Sequence, residues 1–161
     1  NTRINERDLF KNAELDCRPI PGKFYLYFYD PKHKAKLPYY DRFPLTIPYH
    51  LEKDRFIGLN FHYLGYYQRV RLLTKMMQFA TNSNLNDETK IRYTWALISH
   101  VSRFNEVKHC IKEYLFSHVQ SQFIMIPPKD WYTAMMLPVA RFVGRNQQNI
   151  WADNSITRNG P

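Results

Sequence analysis

Between Lys23 and Leu64 large side chains recur at the two-residue period of a β-strand, interrupted by prolines. Phe24, Leu26 and Phe28 fall on one strand face and Tyr25, Tyr27 and Tyr29 on the other, because successive Cβ atoms of a strand point to opposite sides. A strand apolar on both faces needs cover on both. Asp30-Pro31 ends it, Lys32-His33-Lys34-Ala35-Lys36 makes a basic turn, and Leu37-Pro38-Tyr39-Tyr40-Asp41 is irregular. Arg42 to Tyr49 reads as a second strand, but Pro44 and Pro48 remove ladder donors, which places it at an edge or gives it a bulge. From Phe56 to Tyr63, Ile57, Leu59, Phe61 and Tyr63 share one face, while Gly58, Asn60 and His62 share the more polar one. Gly58 marks a bend or a close backbone approach. Three short, bent, proline-marked strands in about forty residues point to a small SH3-like barrel rather than a flat sheet.

From Tyr66 the period becomes helical. Val70, Leu73 and Met77, with Leu72, Met76 and Phe79, form an apolar stripe, and Arg69, Arg71 and Lys75 occupy the remaining face. A polar linker leads to Asn86 or Asp87, which can cap a second helix carrying Ile91, Trp95 and Ile98 on one side. A break near Phe104-Asn105 precedes a third helix with Val107, Cys110, Ile111, Tyr114 and Leu115 inward. Ser121 to Ile126 is strand-like, and a short helix through Trp131, Ala134 and Met135 ends at Pro138. The expected architecture is α+β: a small bent SH3-like β-barrel followed by three to four helices, with extended terminal arms. Residues 1–22 would form the N-terminal arm, 23–144 a single barrel-plus-helix domain, and 145–161 the C-terminal arm.

A chain of 161 residues is about one domain. Its net charge of +9 and its 16% aromatic content set it apart from ordinary usage. Excess positive charge favours polyanionic partners such as nucleic acid or an acidic protein surface, although it also serves plain solubility. The two cysteines, Cys17 and Cys110, form no disulfide framework and no metal spacing; they read as two buried thiols or as a single bridge. No apolar run approaches the roughly 18 residues of a membrane span.

Lys32, Lys34 and Lys36 beside Tyr39, Tyr40 and Arg42 carry the strongest functional signal. Lysines there can bind phosphates as point charges, and exposed tyrosines can stack on unpaired bases. The competing reading is a solvated turn next to tyrosines that belong to the core. Arg69 and Arg71 either extend the patch along the first long helix or form its wet face. Arg141 and Arg145 can contact phosphate or a neighbouring subunit, or be ordinary surface arginines. The six histidines are scattered, with no metal-ligand spacing among them, so no metal or cofactor is expected. His109 and Cys110 are helical neighbours about 100° apart and make no nucleophile–base pair. Asp30, Asp41, Glu52 and Asp54 lie at turns, where aspartate is common for backbone reasons. Five glycines make no phosphate-cradling loop. No catalytic residue is expected, and no enzyme.

Four stretches, Tyr27–Leu45 (YFYDPKHKAKLPYYDRFPL), Gly58–Leu64 (GLNFHYL), Tyr114–Phe123 (YLFSHVQSQF) and Trp131–Phe142 (WYTAMMLPVARF), carry a pattern that spans most of the chain. Together they resemble small proteins of T4-like tailed phages and their marine relatives, described as DNA end protectors. The resemblance implies a non-enzymatic virion protein, assembled in the host cytoplasm, that binds or protects packaged double-stranded DNA ends. Other phage structural proteins and double-stranded DNA would be its partners, in an oligomeric assembly and with no cofactor. No functional residue is carried over by the resemblance. The alternative within the same setting is a neck, tail or baseplate subunit that packs on its neighbours through its arms. Fold analogy alone adds a third reading, an RNA-cleaving toxin-like barrel.

Overall fold

A computed structural model describes residues 13–158, with side chains as far as residue 152. In chain order the elements are β1 (Glu14–Asp16), β2 (Phe24–Leu26), β3 (Tyr40–Asp41), β4 (Leu45–Leu51), β5 (Arg55–Asn60), α1 (Tyr66–Ala80), α2 (Asp87–Val101), α3 (Asn105–Lys108), β6 (Ile111–Leu115), β7 (Phe123–Ile126), α4 (Trp131–Met136), β8 (Phe142–Val143) and α5 (Gln147–Arg158). The fold is therefore α+β. Six strands form an antiparallel sheet in the order β1-β7-β2-β4-β5-β6, and β3 pairs with β8 in a separate ribbon. The expected SH3-like barrel is not closed by these pairings: β1 and β6 stand at opposite ends of the order. The chain after β6 curls back beside β2 through isolated bonds, with Gln120 N–H donating to the Phe28 carbonyl and Asp30 N–H to that of His118.

Both sheet faces are covered, and the alternation in β2 shows how. Phe24 and Leu26 join Leu45, Ile47 and Leu59 in the core beneath the helices. Tyr25 and Tyr27 join Phe56, Tyr114 and Phe123 in an aromatic cluster on the other side. There Tyr27 meets Tyr114 edge to face at 5.5 Å, a geometry that adds about 0.5–1.5 kcal/mol beyond the buried area. On the helix side, the Asn86 side chain accepts from Thr89 N–H at 2.8 Å and caps α2.

Of the two readings of the proline-marked strand, the bulge holds and the edge does not: β4 is central, and it absorbs Pro48 by a register shift between Pro48 and His50. Gly58 lies opposite Pro48, and a Cβ on it would collide with the Thr46 side chain and press on the Ile47 carbonyl. The helix expected across Val107–Leu115 is a single turn followed by strand β6; the open edge of β5 supplies ladder partners, and a short apolar run fits either period. The tail expected as an extended arm forms α5, anchored by fully buried Ile150 and by Trp151, whose Nε1–H donates to the His62 carbonyl at 2.9 Å. Of the N-terminal arm, residues 1–12 lie outside the described residues, while Glu14–Asp16 pairs with β7. Cys110 is buried and Cys17 exposed, both as free thiols. Among the described residues no helix is long and apolar enough to cross a membrane.

Candidate nucleic-acid interface

The basic turn is an ordered 3-10 turn. His33 takes a left-handed conformation (φ 57°), uncommon outside glycine, and its carbonyl accepts from Lys36 N–H at 2.9 Å. Lys32, Lys34 and Lys36 are all exposed. Lys34 pairs with Asp30 at 2.9 Å, and that bond raises the ammonium pKa. Lys32 and Lys36 make no ion pair among the described residues. Lys34 and Arg42 share an open depression of about 410 Å³ with Phe28, Asp30 and Gln120. Phe28 is 46% exposed and lies flat on Phe43, with ring centres 4.3 Å apart. Strand alternation assigned Phe28 to a buried face, but β2 ends at Leu26 and the chain leaves the ladder before reaching it.

Tyr39 and Tyr40 are half-buried and present only part of their surface. Tyr40 is held in the ribbon opposite Val143. Tyr39 lies against Tyr63 at 6.1 Å, with the Arg145 guanidinium over its ring at 5.6 Å. Gly144 (φ +95°) leaves no room for a Cβ against the Pro38 carbonyl, so the chain after β8 presses directly on the loop that carries the turn.

The two arginines of α1 separate. Arg71 is exposed, with its guanidinium 5.9 Å from the centre of the Tyr67 ring. No hydrogen bond, ion pair or ring contact joins it to the basic turn. Arg69 leaves the candidate set: it is 1% exposed, and a phosphate cannot reach it. Its Nε donates to the Leu64 carbonyl at 2.9 Å, Nη1 to that of Met135 at 2.7 Å and Nη2 to that of His62 at 3.3 Å. The Tyr66 and Trp151 rings lie at 4.8 and 5.2 Å from it. Position carried the missed signal, since Leu72, Leu73 and Met76 follow Arg69 at helical spacings of three, four and seven.

Behind the surface lies a polar cluster that sequence reading did not assemble. Asp41 accepts from His62 Nδ1 at 2.7 Å, Asn60 Nδ2 at 3.1 Å, and the backbone N–H groups of Phe43 and Arg141 at 3.0 Å each. Burial works against the Asp41 charge, but the His62 ring and the two N–H donors outweigh it and hold the carboxyl below its ordinary range. The Nε2 of His62 is buried and has no partner. A ring nitrogen closed off from solvent cannot serve as a general base on an external substrate. Cys110 Sγ lies 3.2 Å from His109 Nε2, because a turn rather than a helix joins them, yet burial pushes this thiol well up and keeps it from reacting as a thiolate. Among the described residues, no three His, Cys, Asp or Glu side chains converge as a metal site.

Neither a curated protein nor a solved structure matches the chain. A family model does, over residues 9–157, and its description is the phage T4 terminal DNA protecting protein. With a match over nearly its whole length, and with an ordered cluster of exposed cations on its surface, the chain belongs to the family of the phage T4 terminal DNA protecting protein.

Proposed function

We propose that the chain is a non-enzymatic virion protein that binds and protects the ends of packaged double-stranded DNA, through the surface formed by Lys32, Lys34, Lys36 and Arg42. Phe28 and the free edges of Tyr39 and Tyr40 flank these cations and add stacking area where a terminal base is unpaired. The mechanism is steric: phosphates are neutralised, counterions leave, and the bound protein covers the end. The observation that carries this reading is that Lys32 and Lys36 stand exposed on an ordered turn without an acidic partner among the described residues. Membership of a family described as terminal DNA protecting supports the DNA end as the partner. Arg71 belongs to the proposal as a second contact along α1, reached by a duplex that spans both surfaces.

Salt dependence tests it. Changing Lys32, Lys34 and Lys36 together to Ala is expected to weaken binding to linear duplex uniformly across sequences. The slope of log Kobs against log salt should shrink by about 0.9 for each phosphate that is no longer neutralised. An unchanged slope in the triple variant, or no duplex binding by the natural chain at low salt, removes the proposed surface.

A second reading, a neck, tail or baseplate subunit bound to other phage structural proteins, is favoured by Tyr67 and Tyr132, which are 72% and 64% exposed on α1 and α4. Large exposed aromatics are typical anchors of protein interfaces. Sedimentation equilibrium of the purified chain is then expected to show an oligomer that Tyr67→Ser and Tyr132→Ser dissociate; a monomer at every concentration would remove self-association from this reading.

A further inference from the structure

Lys112 on β6 shares its strand face with Cys110 and Tyr114 and is drawn inward with them. Its ammonium lies 4.2 Å from the centre of the Tyr63 ring, and among the described residues no carboxylate or carbonyl reaches it. Burial pulls its pKa down. A half-buried cation facing only a ring is under-compensated, and an anion placed before it recovers part of the desolvation cost. The space before it is a depression of about 190 Å³, walled by Leu37, Tyr39, Tyr40, Tyr63 and Tyr114. Through Pro31 and Leu37 this depression continues into the loop that carries the basic turn. Two acids also border it, and neither is left over for Lys112. The carboxylate of Asp41 already accepts four hydrogen bonds, and that of Glu113 is held by Arg55 Nη1 at 2.6 Å.

We propose that this depression binds the terminal phosphate monoester of a DNA strand, with the phosphate on Lys112 and the terminal sugar or base against the tyrosine rings. This rests on the reading that the chain binds DNA ends, and it names the chemical feature that marks the end. Size restricts the ligand: the space is smaller than the roughly 300 Å³ at which pockets for drug-sized molecules begin, so it holds one phosphate with part of a nucleotide and not a base pair. Shape restricts it further. A recess can be entered by a strand that stops, whereas the phosphates of a continuing duplex stay on its convex outside. Charge acts in the same direction, because a phosphate monoester carries about 1.5 to 2 negative charges at neutral pH against one for an internal diester.

The test compares duplexes of one sequence in four forms: 5′-phosphorylated ends, 3′-phosphorylated ends, hydroxyl ends only, and both ends closed by hairpin loops. One phosphorylated form is expected to bind about tenfold tighter than the hydroxyl form, the size of one charge-assisted hydrogen bond. Lys112→Gln should remove that preference while leaving binding to the closed duplex unchanged, and excess inorganic phosphate should erase it in the natural chain. Equal binding of phosphorylated and hydroxyl ends by the natural chain overturns the inference without depending on any variant, and it leaves duplex binding by the basic turn intact. A preference that survives in Lys112→Gln places the phosphate elsewhere and also overturns it. If none of the four forms binds at low salt, the end-binding reading and this inference fall together.

Discussion

Asp41→Ala is expected to cost about 3–5 kcal/mol of folding stability, because it withdraws the acceptor of several buried donors at about 1–3 kcal/mol each. In a domain of this size that corresponds to a fall in Tm of about 6–20 °C. The carboxylate is 3% exposed and gathers four donors from three parts of the chain: Phe43 beside it, Asn60 and His62 at the end of β5, and Arg141 before β8. Alanine takes the acceptor from all four donors, of which Asn60 Nδ2 keeps the Tyr114 hydroxyl at 3.2 Å, and that desolvation penalty, rather than the lost attraction, dominates. The damage should reach the surface, because Asp41 fixes the β3–β8 ribbon that holds Tyr40 and positions Arg42. Thermal melts of the two proteins at neutral pH decide the matter: a difference of only one or two degrees would mean that the cluster does not hold the fold.

The same carboxylate sets an acid dependence whose sign is fixed. In the unfolded chain Asp41 titrates near 4; in the fold its pKa lies below that value. Its contribution is therefore complete above about pH 4 and fades as the pH falls through the folded value. The stability gap between the natural chain and Asp41→Ala should be constant from pH 7 to about 5 and narrow steadily below 4. Urea denaturation at pH 7, 4 and 3 measures it, and a gap that does not change with pH would show that His62 and the backbone donors do not hold the charged form.

Local chemistry made some of this structure legible. Pro48 announced a bulge, Gly58 a close approach, Asn86 a cap, and Pro138 the end of α4, because each constrains the backbone within its own few residues. Pairing partners were not legible. Alternation places Phe28 on a face but does not say where the ladder stops, and the ladder stops at Leu26. Ile111–Leu115 fits a helix until the free edge of β5 is known to run beside it. The Asp41–His62 contact and the Asp41–Arg141 bond bring together residues far apart in the chain, which one sequence does not relate. For the proposed interface, the exposure of the lysine turn was readable from residue types, whereas the inward placement of Lys112 was hidden because nothing local distinguishes an inward lysine from a solvated one on a strand.

Arg69→Met should be comparably severe, with an expected loss of about 3–5 kcal/mol, since it withdraws three hydrogen bonds that a charged donor makes to buried carbonyls. The guanidinium fork closes three carbonyls, those of Leu64, His62 and Met135, which belong to the segment before α1 and to α4. Methionine fills a similar volume and can still pack beside Tyr66 and Trp151, but it supplies no donor, so the carbonyls are left without this partner. Burial pulls the Arg69 pKa down to about 10 while the field of Asp41 supports the charge, so the group stays ionised at neutral pH. Arg69→Lys separates charge from geometry: an ammonium keeps the charge but has no planar fork to span three acceptors, and a smaller loss is expected. Equal stability of the lysine variant and the natural chain would show that the charge alone is needed. At temperatures where Arg69→Met is still folded, its salt dependence on linear duplex should match the natural slope, since a side chain 1% exposed touches no phosphate. A reduced slope with undiminished stability would return Arg69 to the interface and take it out of the core.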